Sequence, residues 1–248
     1  MQVQGQKQKH MVIYGGTGFV GSKIAEVFSR QGIQVCCISR SGGMPRQLQN
    51  TQSEWAEQVE WLQGDVANPD PELLAKTDAV VICVGSPPVP TFSSKAYEAQ
   101  YAANGGGNIA LVKACKEHSV KQLIIISATL PSMFKTERFA YYKGKRDLVN
   151  TVEELFKNSD TKVSILFPSV IFGRRYTKSG KPIPLGFLKY VSGTFQFLSR
   201  QTESHFLKSF FAKAPVSVDA IAQLCLSEVL EGSTTESVRH IENQDILG

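Results

Sequence analysis

The chain has 248 residues, of which 42% are hydrophobic and 20% charged, and its formal net charge is +5. A chain of this length can bury the core of one large domain, and this ordinary composition excludes collagen-like, disordered and disulfide-rich classes. No apolar run approaches the roughly 20 residues of a membrane-spanning helix, and the dispersed basic residues argue against nucleic acid as a partner. We therefore predict a single domain over residues 1–248, whose positive charge suits a dinucleotide phosphate or peripheral contact with an anionic membrane.

The cysteines and the N-terminus add little functional signal. Five cysteines, an odd number without CxxC spacing, lie in apolar stretches, which predicts reduced core residues and neither disulfides nor metal ligands. They are Cys36, Cys37, Cys83, Cys115 and Cys225. The first ten residues lack the features of a signal or transit peptide, which predicts a cytoplasmic protein unless a presequence precedes this sequence.

Short apolar segments alternate along the chain with amphipathic ones. Six strands are predicted, over Met11–Tyr14, Val35–Ser39, Val59–Leu62, Ala79–Val84, Gln122–Ser127 and Val163–Phe167. Helical spacing of apolar residues predicts helices over Phe19–Gln31, within Lys95–His118, over Tyr141–Lys157 and over Val218–Leu230. Such alternation is typical of βαβ units. We therefore predict an α/β fold of the Rossmann type, a doubly wound parallel sheet with all strand carboxyl ends at one edge.

From Gly173 onward the pattern changes to a Gly/Pro/Lys-rich stretch and then an aromatic-rich region. We predict a small substrate-side lobe over about residues 173–215. Its phenylalanines either cover the sheet edge or line a pocket, and covering the edge is the commoner use of such residues. They are Phe187, Phe195, Phe197, Phe206, Phe210 and Phe211.

A glycine-rich turn joins the first strand to the first helix. Its residues are Gly15, Gly16, Thr17, Gly18, Phe19, Val20 and Gly21. In the GxGxxG pattern the early glycines allow a tight turn, Gly18 lets the backbone approach a pyrophosphate, and Gly21 lets helix and strand pack closely. The amides and dipole of the helix N-terminus attract the phosphates. In this context the turn predicts a dinucleotide site, with a purely structural turn as the alternative.

The end of the second strand favours NADP(H) over NAD(H). Ser39, Arg40 and Ser41 follow the strand without the acidic residue that accepts hydrogen bonds from the ribose of NAD. The guanidinium of Arg40 suits a 2′-phosphate, and the flanking serines can donate to it. A solvated surface arginine is the alternative. Asp65 and Val66, after the third strand, are predicted to complete the adenine pocket.

Three residues form a candidate reaction centre. Ser127 ends the fifth strand, and Tyr141 and Lys145 follow with YxxxK spacing on a predicted helix, which places both side chains on one face. The ammonium of Lys145 is expected to lower the phenol pKa of Tyr141 and to hold the nicotinamide ribose. Tyr141 would then exchange a proton with a substrate oxygen to which Ser127 donates a hydrogen bond.

In these motifs the chain resembles the atypical branch of the short-chain dehydrogenase/reductase superfamily. The matching segments, in the superfamily's order, are Gly15–Gly21, Ser39–Gly42, Gly64–Val66, Asn104, Ser127, Tyr141–Lys145 and Pro168–Gly173. The resemblance adds Asn104 and Pro168 to the cofactor site. Ile38–Gly42, Trp55–Trp61, Tyr141–Asp147 and Pro215–Val218 further resemble mitochondrial proteins of fungi and plants tied to ubiquinone biosynthesis, a group related to the nucleotide-binding accessory subunit of respiratory complex I.

Three features depart from the superfamily's pattern. The run Gly105–Gly107 predicts a helix that is kinked or close to another backbone, since glycine weakens helices. Gly144, beside Lys145, is expected to loosen the helix that carries the proton donor. Phe167 stands before Pro168, where relatives often carry arginine.

Three functions follow as expectations. The first is an NADPH-dependent oxidoreductase with an apolar carbonyl or quinone-like substrate. The second is a non-catalytic NADP(H)-bound assembly or stability factor of a mitochondrial lipid-quinone or respiratory complex. The third is a redox sensor whose partner binding follows the NADPH/NADP ratio. The resemblance implies a mitochondrial location for the first two.

Overall fold

The structure is a computed structural model that describes residues 9–176, 181–184, 213–231 and 236–247. Its centre is one sheet of seven parallel strands. These strands are β1 (His10–Tyr14), β2 (Gln34–Ser39), β3 (Glu60–Gln63), β4 (Ala79–Ile82), β5 (Gln122–Ile126), β6 (Lys162–Phe167) and β11 (Val238–Glu242). The spatial order is β3-β2-β1-β4-β5-β6-β11, so the chain reverses direction across the sheet between β1 and β4. This confirms the predicted doubly wound α/β fold, whose ligands bind at such a reversal.

Helices connect the strands by crossovers. The longer ones are α1 (Phe19–Arg30), α5 (Ser94–Tyr101), α6 (Gly107–Glu117), α7 (Ala140–Phe156) and α8 (Val218–Glu231), and a π-helical turn over Ala102–Gly106 joins α5 to α6. The shorter ones are α2 (Arg46–Asn50), α3 (Glu54–Glu57), α4 (Pro71–Ala75) and α9 (Asn243–Leu247), with a 3₁₀ turn over Ser132–Phe134. The helices predicted over Phe19–Gln31, Tyr141–Lys157 and Val218–Leu230 are present with ends that differ by one residue, whereas the helical segment predicted within Lys95–His118 is two helices, α5 and α6, joined by the π-helical turn.

The sheet is buried on both faces because alternate strand residues feed two separate cores. Met11 and Ile13 of β1 pack with α1 and α8, whereas Val12 and Tyr14 pack with α6 and α7. Burial on both sides explains the nearly continuous apolar runs of the central strands. The resulting rigid sheet fixes the loops at its carboxyl edge, where the predicted site residues lie.

The sequence did not predict β11. Its residues, Val-Arg-His-Ile-Glu, are mostly polar, because this edge strand pairs with β6 alone and only Ile241 is deeply buried. The short helices α2, α3 and α4 were also missed, since four or five residues are too few to show a helical period.

Part of the predicted substrate-side lobe is described. Strand β7 (Ile171–Phe172) pairs with β10 (Val216–Ser217), and β8 (Arg174–Tyr176) forms a hairpin with β9 (Pro182–Pro184). The six phenylalanines assigned to the lobe lie outside the described residues, so both the lobe and its aromatic lining stay predictions.

None of the helices in the described ranges has the length and apolarity required to cross a membrane. All five cysteines are unpaired and four are buried, in agreement with the core role predicted for them.

Candidate functional site

The glycine turn packs against β2 and the end of β4 and leaves no room for side chains at three of its positions. Gly15 has φ +86°, and a Cβ there would lie 2.9 Å from the carbonyl carbon of Cys83. A Cβ at Gly16 would lie 2.3 Å from Cys37 Sγ, and one at Gly21 would lie 2.3 Å from Gly15 O. The tight turn and the close helix packing that the spacing predicts are therefore present.

Gly18 differs from these glycines because it faces outward. It is exposed and takes the N-cap position of α1, where no side chain accepts from the first amides and the first turn contains no acidic residue. Thr17, Phe19 and Val20 beside it are partly exposed. The start of α1 thus presents amide donors and the positive end of its dipole at the carboxyl edge of the sheet, an arrangement suited to phosphate.

The end of β2 carries the residues predicted to select the dinucleotide. Arg40 is exposed, and its side chain makes no ion pair within the described residues, while its carbonyl accepts from Gln63 Nε2 at 3.1 Å. The hydroxyls of Ser39 and Ser41 lie 3.4 Å apart. Gly42, at φ +60°, ends the turn against the backbone of Gln63. The guanidinium of Arg40 is therefore available to an anion beside this loop.

The turn after β3 approaches the start of α6. Asp65 is exposed, and its carboxylate accepts from the amide of Ala67 at 3.0 Å. Val66 is half-buried, and a Cβ at Gly107 would lie 3.0 Å from Val66 Cγ1. Their role in adenine binding stays a prediction.

Lys145 is buried at the carboxyl edge of the sheet. Its Nζ donates to the carbonyl of Ile126 at 2.8 Å, next to Ser127, which is itself buried. A Cβ at Gly85 would lie 3.7 Å from Nζ, so the loop after β4 forms the opposite wall. Burial lowers the pKa of Lys145 to about 8.

The expected effect of Lys145 on Tyr141 is corrected by the structure. Burial raises the pKa of Tyr141 to about 12, where the sequence predicted a lowered value. The ring of Tyr141 lies at an aromatic helix start, with its centroid 5.9 Å from that of Phe139, while the ammonium of Lys145 donates to Ile126 O. Desolvation therefore outweighs any stabilisation of the phenolate.

Asn104 lies in the π-helical turn and is completely buried. Its Nδ2 donates to Ser86 Oγ and to the carbonyl of Gln100, each at 2.8 Å, and its Oδ1 accepts from the amide of Ser86 at 3.1 Å. The side chain predicted to join the cofactor site thus holds the loop after β4.

The glycine run and Gly144 serve one close helix contact. A Cβ at Gly105 would lie 2.7 Å from Gly144 Cα, and one at Gly144 would lie 2.9 Å from Gly105 N. Of the two predicted alternatives, the close approach to another backbone is confirmed. The expectation that Gly144 loosens α7 is wrong, because its missing side chain lets α7 pack against the π-helical turn.

Pro168 is buried just after β6, and its carbonyl accepts from the amide of Thr129 at 2.8 Å. It therefore ties the loop after β6 to the loop after β5. Its predicted contact with the cofactor stays a prediction.

Two further polar residues at the site were missed by sequence reasoning. Ser86 bonds Asn104, and the buried Gln100 bonds the loop after β4 and the start of α7. Spacing offered one signal, since Gln100 lies four residues before Asn104 and so shares its helix face.

The fold and the glycine turn define a Rossmann-type α/β protein. The sequence pattern of the NAD dependent epimerase/dehydratase family matches residues 11–195, and the chain belongs to this family. An uncharacterized chloroplastic protein of Arabidopsis thaliana is 31% identical over 233 residues, covering 90% of this chain and 72% of that protein. MIOREX complex component 2 of Saccharomyces cerevisiae is 34% identical over 77 residues, covering 30% of this chain and 28% of that one.

Solved structures agree on the fold. UDP-glucose 4-epimerase from Bifidobacterium longum, in complex with NAD+ and UDP, aligns with a TM-score of 0.64 at 18% identity, over 94% of this chain and 77% of that one. UDP-N-acetylglucosamine 4-epimerase from Methanobrevibacter ruminantium M1 aligns with a TM-score of 0.65 at 20% identity, over 95% of this chain and 77% of that one. At such identities the likeness concerns the fold.

Proposed function

We propose that this protein is an NADP(H)-dependent oxidoreductase whose substrate is an apolar carbonyl or quinone-like compound. The observation that carries the proposal is the buried ammonium of Lys145, bonded to Ile126 O beside Ser127, on the helix face that also carries Tyr141. A buried cation at the carboxyl edge of a Rossmann sheet is costly to keep unless it has a use there.

The residues around the glycine turn fit a dinucleotide. Gly18 exposes the uncapped start of α1 to a pyrophosphate, and Lys145, whose Nζ lies next to the loop at Gly85, would hold a ribose. Arg40 would hold the 2′-phosphate of NADP(H), with Ser39 and Ser41 as donors. The dinucleotide supplies hydride transfer chemistry, and the protein supplies orientation and protons.

Tyr141 would act as the proton donor. Because burial raises its pKa to about 12, the phenol stays protonated at physiological pH and can donate to a substrate oxygen. Ser127 would donate a second hydrogen bond to that oxygen. Lys145 would hold the ribose and place a positive charge beneath the reacting oxygen, where negative charge develops.

An apolar substrate is supported by the aromatic surroundings of Tyr141. The rings of Phe139 and Tyr141 lie 5.9 Å apart, and Phe134 lies 5.7 Å from Phe139. Phe134 and Phe139 both belong to the segment between β5 and α7, so the residues that lead to the proton donor are aromatic. The resemblance to ubiquinone-associated proteins favours a quinone-like ring, and the chloroplastic relative favours an organelle as the location.

A second candidate function is a non-catalytic NADP(H)-bound assembly factor. Its support is the 77-residue similarity to a protein named as a component of the MIOREX complex. In that case the cofactor would stabilise the fold, and Tyr141 would serve only as a packed aromatic residue.

Turnover distinguishes these functions. Oxidation of NADPH is followed at 340 nm with a panel of quinones and apolar carbonyl compounds. We expect wild-type protein to oxidise NADPH with at least one of them, and Tyr141→Phe to be slower by roughly 10²–10⁴, the usual contribution of a positioned acid. Equal rates for the two proteins would overturn the catalytic role of Tyr141.

A further inference from the structure

Gln100 occupies the last turn of α5 and is 6% exposed. Its Nε2 donates to the carbonyls of Pro87 at 3.1 Å and Val89 at 2.8 Å. Its Oε1 accepts from the backbone amide of Tyr141 at 3.1 Å. One buried side chain therefore bonds both the loop after β4 and the helix start that carries the proposed proton donor.

The first turn of α7 has no side-chain cap of its own, so the acceptor that Gln100 Oε1 provides compensates for a missing one. Phe139 takes the N-cap position and cannot accept a hydrogen bond with its side chain. The amide of Tyr141 belongs to the first turn, whose N–H groups have no acceptor within the helix. Gln100 thus supplies from another helix the cap that the sequence before α7 lacks.

The loop after β4 needs the donors. Its prolines at positions 87, 88 and 90 have no N–H and cannot bond to each other's carbonyls. The carbonyl of Pro87 accepts from Val89 N at 2.9 Å as well as from Gln100, which closes a tight turn. Asn104, one helical turn further on, fixes Ser86 at the start of the same loop.

We propose that Gln100 is a positioning residue that joins the loop after β4 to the backbone of Tyr141, so that this loop and the proton donor keep one relative position. The inference rests on the proposed function for its link to turnover. Its geometric part, a side-chain amide that caps α7 and ties down the loop, is tested without any substrate.

Amide hydrogen exchange measured by NMR tests the geometric part. In Gln100→Leu the amide of Tyr141 loses its acceptor, and we expect it to exchange roughly tenfold or more faster. The amide of Val89 donates to Pro87 O, not to Gln100, and it should also exchange faster because the loop loses the donor that holds the carbonyls of Pro87 and Val89. Gln100→Glu keeps an acceptor of the same length and lacks Nε2, so Tyr141 should stay protected while Val89 exchanges faster. Gln122→Leu is the matched control, because it removes an amide bond to Glu228 O far from the site.

Turnover then tests the positioning role. With a substrate found in the NADPH assay, Gln100→Glu should raise KM and largely keep kcat, whereas Gln100→Leu should lower kcat. Two results in Gln100→Leu would overturn the proposal. One is an exchange rate of the Tyr141 amide equal to that in the Gln122→Leu control, and the other is faster exchange spread evenly over the chain. Absent turnover in wild type would refute the proposed function, while the exchange result would still decide whether Gln100 caps α7.

Discussion

Substitutions at Gly18 and Gly21 should have different effects, because Gly21 is needed for packing within the turn, whereas Gly18 is proposed to contact the cofactor. A Cβ at Gly21 would lie 2.3 Å from Gly15 O and 2.9 Å from Gly15 C, so the turn must shift in Gly21→Ala. Such overpacking costs about 1–3 kcal/mol, which lowers the Tm of a chain of this size by roughly 2–12 °C. Among the described residues, a Cβ at Gly18 would meet Gly15 O alone within 4 Å, at 3.1 Å. This single contact is less severe than those at Gly21, so Gly18→Val should lower Tm less than Gly21→Ala does.

NADPH binding should respond in the opposite way to Tm, because Gly18→Val should weaken it more than Gly21→Ala does. The branched side chain of Gly18→Val covers the amides at the start of α1, and the loss of one or two charge-assisted hydrogen bonds weakens NADPH binding by roughly 10- to 1000-fold. Isothermal titration calorimetry with NADPH, beside a thermal melt of each variant, measures both effects. Wild-type affinity in a natively folded Gly18→Val protein would refute the assignment of the phosphates to this turn.

Three further predictions concern other residues. Arg40→Ala should weaken NADPH binding by about 1.5–3 kcal/mol and leave NADH binding unchanged, because the charge-assisted contact is to the 2′-phosphate; equal calorimetric losses for both cofactors would reject it. Between pH 8 and 10.5 native Lys145 is neutral while the unfolded chain still binds its proton, so the unfolding free energy of wild type should rise by roughly 3 kcal/mol relative to Lys145→Met. A pH-independent difference in chemical denaturation would contradict the buried ammonium. Gly144→Ala should lower stability, although alanine is the better helix former by about 1 kcal/mol, because its Cβ would lie 2.9 Å from Gly105 N; a raised Tm would show that the two helices are not in close contact.

The sequence predicted most of the sheet because its buried parallel strands are continuous apolar runs, and a recognisable glycine turn follows the first of them. Strand β11 was not predicted because this edge strand has only one deeply buried apolar residue, Ile241, and so lacks an apolar run. The role of Gly144 was misinterpreted because it depends on a contact with Gly105, 39 positions earlier, and local helix propensity does not predict such a contact.

The candidate site was only partly predictable. Motif spacing placed Tyr141 and Lys145 on one helix face, but the pKa of Tyr141 depends on how much water the fold removes, and spacing does not record this. Gln100 carries no motif, since a lone glutamine on a helix is usually solvated. Its role emerges only from the three backbone groups that the fold brings around it.

Complementation by Tyr141→Phe tests the central claim most directly. Cells that lack this protein receive wild type, Tyr141→Phe or Gly18→Val, and growth or quinone content is measured. The variant Tyr141→Phe keeps the ring and its packing and removes only the phenolic proton, so a catalytic protein should lose function while it remains folded and binds NADPH. Wild-type function from Tyr141→Phe together with loss of function in Gly18→Val would contradict the catalytic account and favour a cofactor-stabilised assembly factor.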